Sequence, residues 1–274
     1  MSRTDDPSQP AHPGAPRQIE EGSIPHLVDV MRSQLDHLER IVGPEVRAVE
    51  EVQERLKPAW QRATEGEHRL PVALAVVVAI CLQMFLPTHL EFRPSWLLPA
   101  LAAALLVGLV AANPRRINRS SKVLRAASLT LIGLISLANA WSAGELINGL
   151  INGTEGASPG RLLANGAAIY LTNVIVFGLW YWDFDRGGPV ARAQALRPYP
   201  DFLFPQMEAQ DLAPPDWAPT FVDYLYVSFT NATAFSPTDV MPLSRWAKML
   251  MLLQSAVSLA TVALVVARAV NILK

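Results

Sequence analysis

Cysteine is almost missing from this chain of 274 residues. The single Cys81 excludes a disulfide within one chain, and its place inside an apolar run reads as a small packing residue. Charge is scarce too: Asp, Glu, Lys and Arg make up 17% of the residues, against roughly 25% in a soluble domain. The two signs nearly cancel, to a formal net charge of -1, so nothing points to a nucleic-acid partner. The five histidines, His12, His26, His37, His68 and His89, are scattered, with no ligand-spaced pair among them. GxSxG, HExxH and glycine-rich phosphate loops are all missing. These gaps argue against an enzyme and imply no cofactor and no metal. A cleavable leader is not expected either. Residues 1–23 lack an apolar core, carry acids early, and hold Pro10, Pro13 and Pro16 in what reads as a disordered tail.

What the chain has in quantity is apolar sequence. About half of it is apolar, and its mean hydropathy is positive. Pro71–Pro87, Trp96–Ala112, Ala126–Ala138, Leu162–Trp182 and Met249–Ala267 hold almost no charge. Runs near 20 residues suit bilayer-spanning helices. The expected fold class is therefore all-α, a polytopic transmembrane protein in contact with the lipid bilayer. Four spans are expected in residues 69–182 and a last one at the end, the third being the weakest because Asn139, Trp141 and Glu145 wet its far end. No span holds the isolated carboxylate of a proton relay, and no paired repeat suggests a secondary transporter.

Residues 24–68 read as a cytoplasmic amphipathic extension. Val28, Leu35, Val42, Val49 and Leu56 recur every seventh residue, with Met31, Leu38 and Val52 between them and Glu45 breaking the row. That repeat favours a coiled coil, and Gly43-Pro44 predicts a kink between two helices. The extension would bind its own subunit, a neighbour or the membrane face. Arg115, Arg116, Arg119, Lys122 and Arg125 fill one loop without an acid, so the positive-inside rule puts that loop and the N-terminus in the cytoplasm.

Residues 183–219 form a proline-rich loop. It opens on Asp183 and Asp185, two acids beside Arg186-Gly187-Gly188, which suit either a salt-bridged turn or the attraction of a cation. Counting spans leaves Phe221–Phe235 on the cytoplasmic side and Lys274 outside. If that run crossed instead, the count would become even, and the topology of the C-terminal third stays open at this point. Its 15 residues reach only about 22 Å as a helix.

The last region, residues 220–274, carries the candidate site. FVDYLYVSF predicts a short helix with Asp223 in its favourable first turn, where, with Asp239, it would also attract cations. Thr230, Asn231, Thr233, Ser236, Thr238 and Asp239 then form a ladder of oxygen-bearing side chains, with Pro237 among them, before the final apolar run. A short helix ending in polar irregular chain before a spanning helix is the arrangement of a re-entrant pore loop. The plainer alternative is a tight Ser236-Pro237-Thr238-Asp239 turn that caps the next helix. Within the final helix Gln254, Ser255, Ser258 and Thr261 lie close to one stripe, suited to a wet lumen or to tying helices together.

SFTNATAFSPTDVMPLSRWAKMLMLLQS resembles the pore helix, filter and inner helix of the tetrameric potassium-channel-like pore-loop family. The resemblance places Thr230 or Thr233 at the filter entrance, Asp239 after it and Pro242-Leu243 before the last span. It implies inorganic ions as the permeant species and a homo-oligomer, a tetramer first. The family's diglycine filter is replaced by Ala234-Phe235-Ser236-Pro237, and no glycine lies between Thr220 and Leu243. Filter carbonyls need backbone angles that β-carbon residues rarely adopt, so potassium selectivity is not implied. Tyr226–Thr230 and Val270-Asn271 also resemble motifs of uncharacterised bacterial inner-membrane proteins, which implies an inner-membrane location. Both resemblances cover the last fifth of the chain. The expectation is an ion channel-like protein, non-selective or with a selectivity other than that for potassium, with Gln254, Ser258 and Thr261 lining its vestibule. The alternative is a non-conducting scaffold or sensor that binds a partner through its N-terminal helices.

Overall fold

The computed structural model describes residues 28–29, 31–37, 57–117, 121–154, 158–234 and 239–272. The chain divides into two units, Met1–Leu56 and Lys57–Lys274. In the first, the described residues are helical. Val28, Met31 and Leu35, at the i, i+3, i+7 spacing of one helix face, are all exposed. The rest of the seven-residue repeat, Gly43-Pro44 and the tail of residues 1–23 lie outside the described residues.

The second unit is an all-α bundle with several long apolar helices. These are α1 (Leu70–Met84), α2 (Leu97–Ala112), α3 (Lys122–Ile151), α4 (Pro159–Phe184) and α8 (Arg245–Ile272). Shorter helices lie between the last two: α5 (Pro189–Ala193), α6 (Pro205–Glu208) and α7 (Phe221–Ala234). Prolines stand in the first turns of α1, α4, α5 and α6, where no intrahelical amide bond is lost. By length and composition α3, α4 and α8 can each cross a membrane. α1 and α2 have 15 and 16 residues, or about 22–24 Å, short of the usual ~30 Å hydrocarbon thickness.

The span expected to be weakest is the longest helix, α3, with 30 residues. Two of its polar residues are satisfied by a neighbouring helix. Asn139 and Ser142 are buried, Gln83 of α1 donates to Asn139 Oδ1 at 3.0 Å, and Ser142 donates to Gln83 Oε1 at 3.3 Å. Hydropathy counts these groups as wet although they satisfy one another.

α4 is the central helix. In its most apolar stretch 72% of residues are buried, against 22% in α3 and 28% in α8, and it packs against α1, α3, α7 and α8. Two glycines permit the close crossings. A Cβ at Gly178 would stand 3.2 Å from Leu225 Cα of α7, and one at Gly166 would stand 2.9 Å from Val265 Cγ1 of α8.

Short pairings bring several helix ends to one face. Strands β1 (Glu67–His68) and β2 (Arg116–Ile117) are antiparallel, so the start of α1 lies beside the end of α2. Strands β3 (Phe202–Leu203) and β4 (Met241–Pro242) likewise hold the loop after α5 against the start of α8. At the end of α4 the chain turns through Gly187 (φ +83) and Gly188 (φ +99), and a Cβ at Gly188 would meet Asp183 O at 2.8 Å. This face holds Arg69, Arg116, Lys122, Arg125, Arg192 and Arg245, and we term it the basic end.

α7 begins at the basic end, where the Phe221 amide donates to Glu67 Oε1. Thr220 caps it: its amide and hydroxyl both donate to Asp223 Oδ2, at 2.7 and 2.8 Å. The helix then runs beside α4 toward its middle, with Ser228 donating to Val174 O at 2.6 Å and Tyr170 reaching Thr233 at 2.8 Å. By Met241, which pairs with Leu203, the chain is back at the basic end.

Candidate functional site

Asn231 and Gln254, three turns into α7 and α8 respectively, meet in the middle of the bundle. Gln254 is fully buried. Its Nε2 donates to Ser228 O at 3.0 Å and to Ser228 Oγ at 2.7 Å. Its Oε1 accepts from Tyr181 Oη at 2.6 Å and from Asn231 Nδ2 at 2.9 Å. Asn231 Nδ2 also donates to Met251 O at 3.0 Å, and Ser255 donates to Asn231 Oδ1 at 3.2 Å. Both donors and both acceptor directions of the Gln254 amide are engaged within the one chain. Farther along, Asn173 donates to Ser258 Oγ at 2.9 Å, and Thr261 donates to Val257 O at 2.9 Å. Ser258 and Thr261 are buried.

The other described members of the ladder, Thr230, Thr233 and Asp239, are half-buried or exposed. Thr230 is half-buried and donates back to Tyr226 O at 3.0 Å. Thr233 is exposed and donates to Phe229 O at 2.8 Å, so the shared hydrogen of the Tyr170 contact belongs to the tyrosine. Asp239 is exposed and accepts from Tyr226 Oη at 3.4 Å. Val222, Tyr226 and Phe229 are exposed on the same helix, at spacings of four and three. Ser236 and Thr238 lie outside the described residues. The structure thus joins Asn231 with Gln254, places Ser258 and Thr261 deeper along α8, and leaves Thr230, Thr233 and Asp239 half-buried or exposed.

Asp183 and Asp185 are buried at the basic end. Asp185 Oδ1 accepts from the amides of Asp201 (2.8 Å) and Phe202 (3.3 Å), and its Oδ2 accepts from Tyr224 Oη at 2.6 Å. Arg192 donates to Trp182 O at 2.6 Å and to Asp185 O at 3.0 Å, and its guanidinium lies 5.0 Å from the Tyr224 ring centre. Arg186 adopts a left-handed backbone (φ 51). That conformation costs an ordinary residue about 1–2 kcal/mol, offset by its amide on Asp201 Oδ2 (2.9 Å) and its guanidinium on Trp60 O and Arg197 O. Among the described residues no three His, Cys, Asp or Glu side chains converge as metal ligands.

Glu67 ties three elements together. Trp182 Nε1 of α4 donates to its Oε2 at 2.6 Å, and the first amide of α7 donates to its Oε1. Burial pushes its carboxyl above the ordinary carboxylate range; the Trp182 and Phe221 donors and the Arg192 charge pull it back. Sequence alone did not single out Glu67, and it gave Tyr181 and Tyr224 no polar role. The available signal was a tyrosine inside each of two apolar helices, since a buried phenol requires a partner.

No family model, no curated protein and no solved structure matches this chain.

Proposed function

We propose that this membrane protein carries a re-entrant, pore-loop-like hairpin made by α7 and the chain up to β4, and that it conducts ions as a homo-oligomer. The observation that carries the reading is the path of α7. It enters beside α4 from the basic end, reaches the level of Tyr170, and the chain is back at that end by Met241. A 14-residue helix rises only about 21 Å, less than a bilayer core. A chain that turns back at membrane depth must be surrounded by protein or water, and neighbouring subunits would provide both. Thr230, Thr233 and Asp239, exposed or half-buried on one chain, would then face the shared axis. Asn231, Gln254, Ser258 and Thr261 would hold α7 on α8 from behind. The basic end is cytoplasmic by the positive-inside rule, so the hairpin enters from the cytoplasm. Potassium-channel-like loops enter from outside. Together with the absent glycines, that favours a selectivity other than that for potassium.

Liposomes holding the purified protein should leak ions from salts of varied cation and varied anion. Thr233→Val and Asp239→Asn should lower or redirect that flux. An intact oligomer with no flux in any salt refutes conduction.

A second reading has its own support. Val28, Met31 and Leu35 expose an apolar stripe on the N-terminal unit, a surface suited to a partner helix. A non-conducting scaffold or sensor would keep that stripe essential while tolerating Thr233→Val and Asp239→Asn.

A further inference from the structure

A cavity of about 260 Å³ opens between α1, α2, α3, α4 and the turn into α5, away from the α7 hairpin. That is the space of roughly nine waters, enough for one segment of an acyl chain. Its walls are apolar, built from Val72, Val76, Leu106, Leu109, Leu131 and Leu179. Its other end is charged: Arg69, Lys122, Arg125 and Asp183 line it, at the level where the helices begin or end. Two of these polar groups are buried and incompletely satisfied. Asp183 is 3% exposed and Arg69 is 9% exposed, and among the described residues neither Asp183 Oδ2 nor Arg69 Nε has a hydrogen-bond partner. Buried charged atoms left bare are costly, and native structures rarely keep them without reason. Here one spare acceptor and one spare donor share the rim of an apolar space.

We propose that this cavity binds one phospholipid with an ethanolamine-type headgroup, its phosphate on Arg69 and Lys122, its ammonium on Asp183, and part of a chain between the leucines. Asp183 already faces the Arg125 and Arg192 charges and Ser128, but its Oδ2 still lacks a donor that an anion alone would not supply, and an amine alone would give Arg69 no acceptor. A zwitterion satisfies both. The ammonium must carry hydrogens, because a trimethylated one has none to donate to a carboxylate. Basic pockets between helices at the cytoplasmic level suit phosphate headgroups on general grounds.

The experiment uses the full chain in detergent. Retention of added phosphatidylethanolamine and of phosphatidylcholine with the same chains is read by native mass spectrometry and by the shift in Tm, with inorganic phosphate as a separate arm. One charge-assisted hydrogen bond predicts retention of the ethanolamine lipid about tenfold above the choline lipid. Asp183→Asn should erase that preference. Leu106→Trp should fill the apolar end and abolish lipid retention while the helical circular dichroism stays unchanged. Equal retention of the two lipids by the unaltered protein overturns the proposal, even if Asp183→Asn fails to fold. So does a Tm rise with inorganic phosphate as large as that with lipid, which would assign a free-anion site.

Discussion

Replacing Gln254 by methionine keeps the length of the side chain and removes all four of its hydrogen bonds, to Tyr181, Asn231, Ser228 O and Ser228 Oγ. Bonds between helices in a membrane bundle average ~0.6 kcal/mol, so their loss alone costs about 2.4 kcal/mol. Asn231 keeps Met251 O, and Ser228 keeps Val174 O. Among the described residues the Tyr181 O–H loses its acceptor, and the side chain is fully buried. An orphaned buried hydroxyl adds about 1 kcal/mol or more. The expected total is about 3 kcal/mol, or a Tm lower by about 6–12 °C for a unit of this size. Thermal unfolding in detergent, followed by circular dichroism, measures it. The sharper measurement is the pair with Tyr181→Phe. Removing both partners leaves no orphan, so the double variant should be more stable than Gln254→Met alone, with a recovery of about 1 kcal/mol. A single variant that loses less than ~1 kcal/mol, or a double variant that simply adds two losses, would refute the view that this network is dry and closed.

Gly178→Ala should destabilise the docking of α7, because the new methyl meets Leu225 backbone at 3.2 Å and overpacking typically costs about 1–3 kcal/mol. Gly166→Ala should be rescued by Val265→Ala, since there the clash is with a side chain that can be shortened; failure of that rescue in the same melting assay would contradict the crossing. Glu67 gives a pH prediction. Its folded carboxyl holds its proton above the ordinary carboxylate range, so its contribution to stability is fully present below that range and is lost as pH rises through the raised value. Glu67→Gln should flatten this decline in Tm, and a decline of unchanged slope would show that another group causes it.

The apolar helices were readable from hydropathy because each is a run with few charges. The length of α3 was not, since a window cannot know that Asn139 and Ser142 face Gln83. The short α7 was readable from its FVDYLYVSF run, from Asp223 in its first turn and from the polar stretch after it; the bonds of Thr220 to Asp223 were not. Which members of that stretch turn inward was not. Thr233 and Asn231 are near neighbours of similar polarity, and only the position of α8 decides that one bonds Gln254 and the other stays outside. The salt-bridged-turn reading of Asp183-Phe184-Asp185-Arg186 looked only at nearby residues. The side-chain bonds of Asp185 go to Asp201, Phe202 and Tyr224, 16, 17 and 39 residues away. Spacing carries little information about partners that far apart.

The central place of α4 has a consequence for biogenesis. Its polar side chains, Asn173 and Tyr181, are completed by Ser258 and Gln254, residues that leave the ribosome 85 and 73 positions later. Until α8 is inserted, α4 must present an amide and a phenol to lipid or to the insertion machinery. α7 cannot shield them alone, because its own Asn231 waits for the same glutamine. The seat of its first amide, Glu67, was made 154 residues earlier. The polar core of the bundle is therefore complete only once α8 is in place.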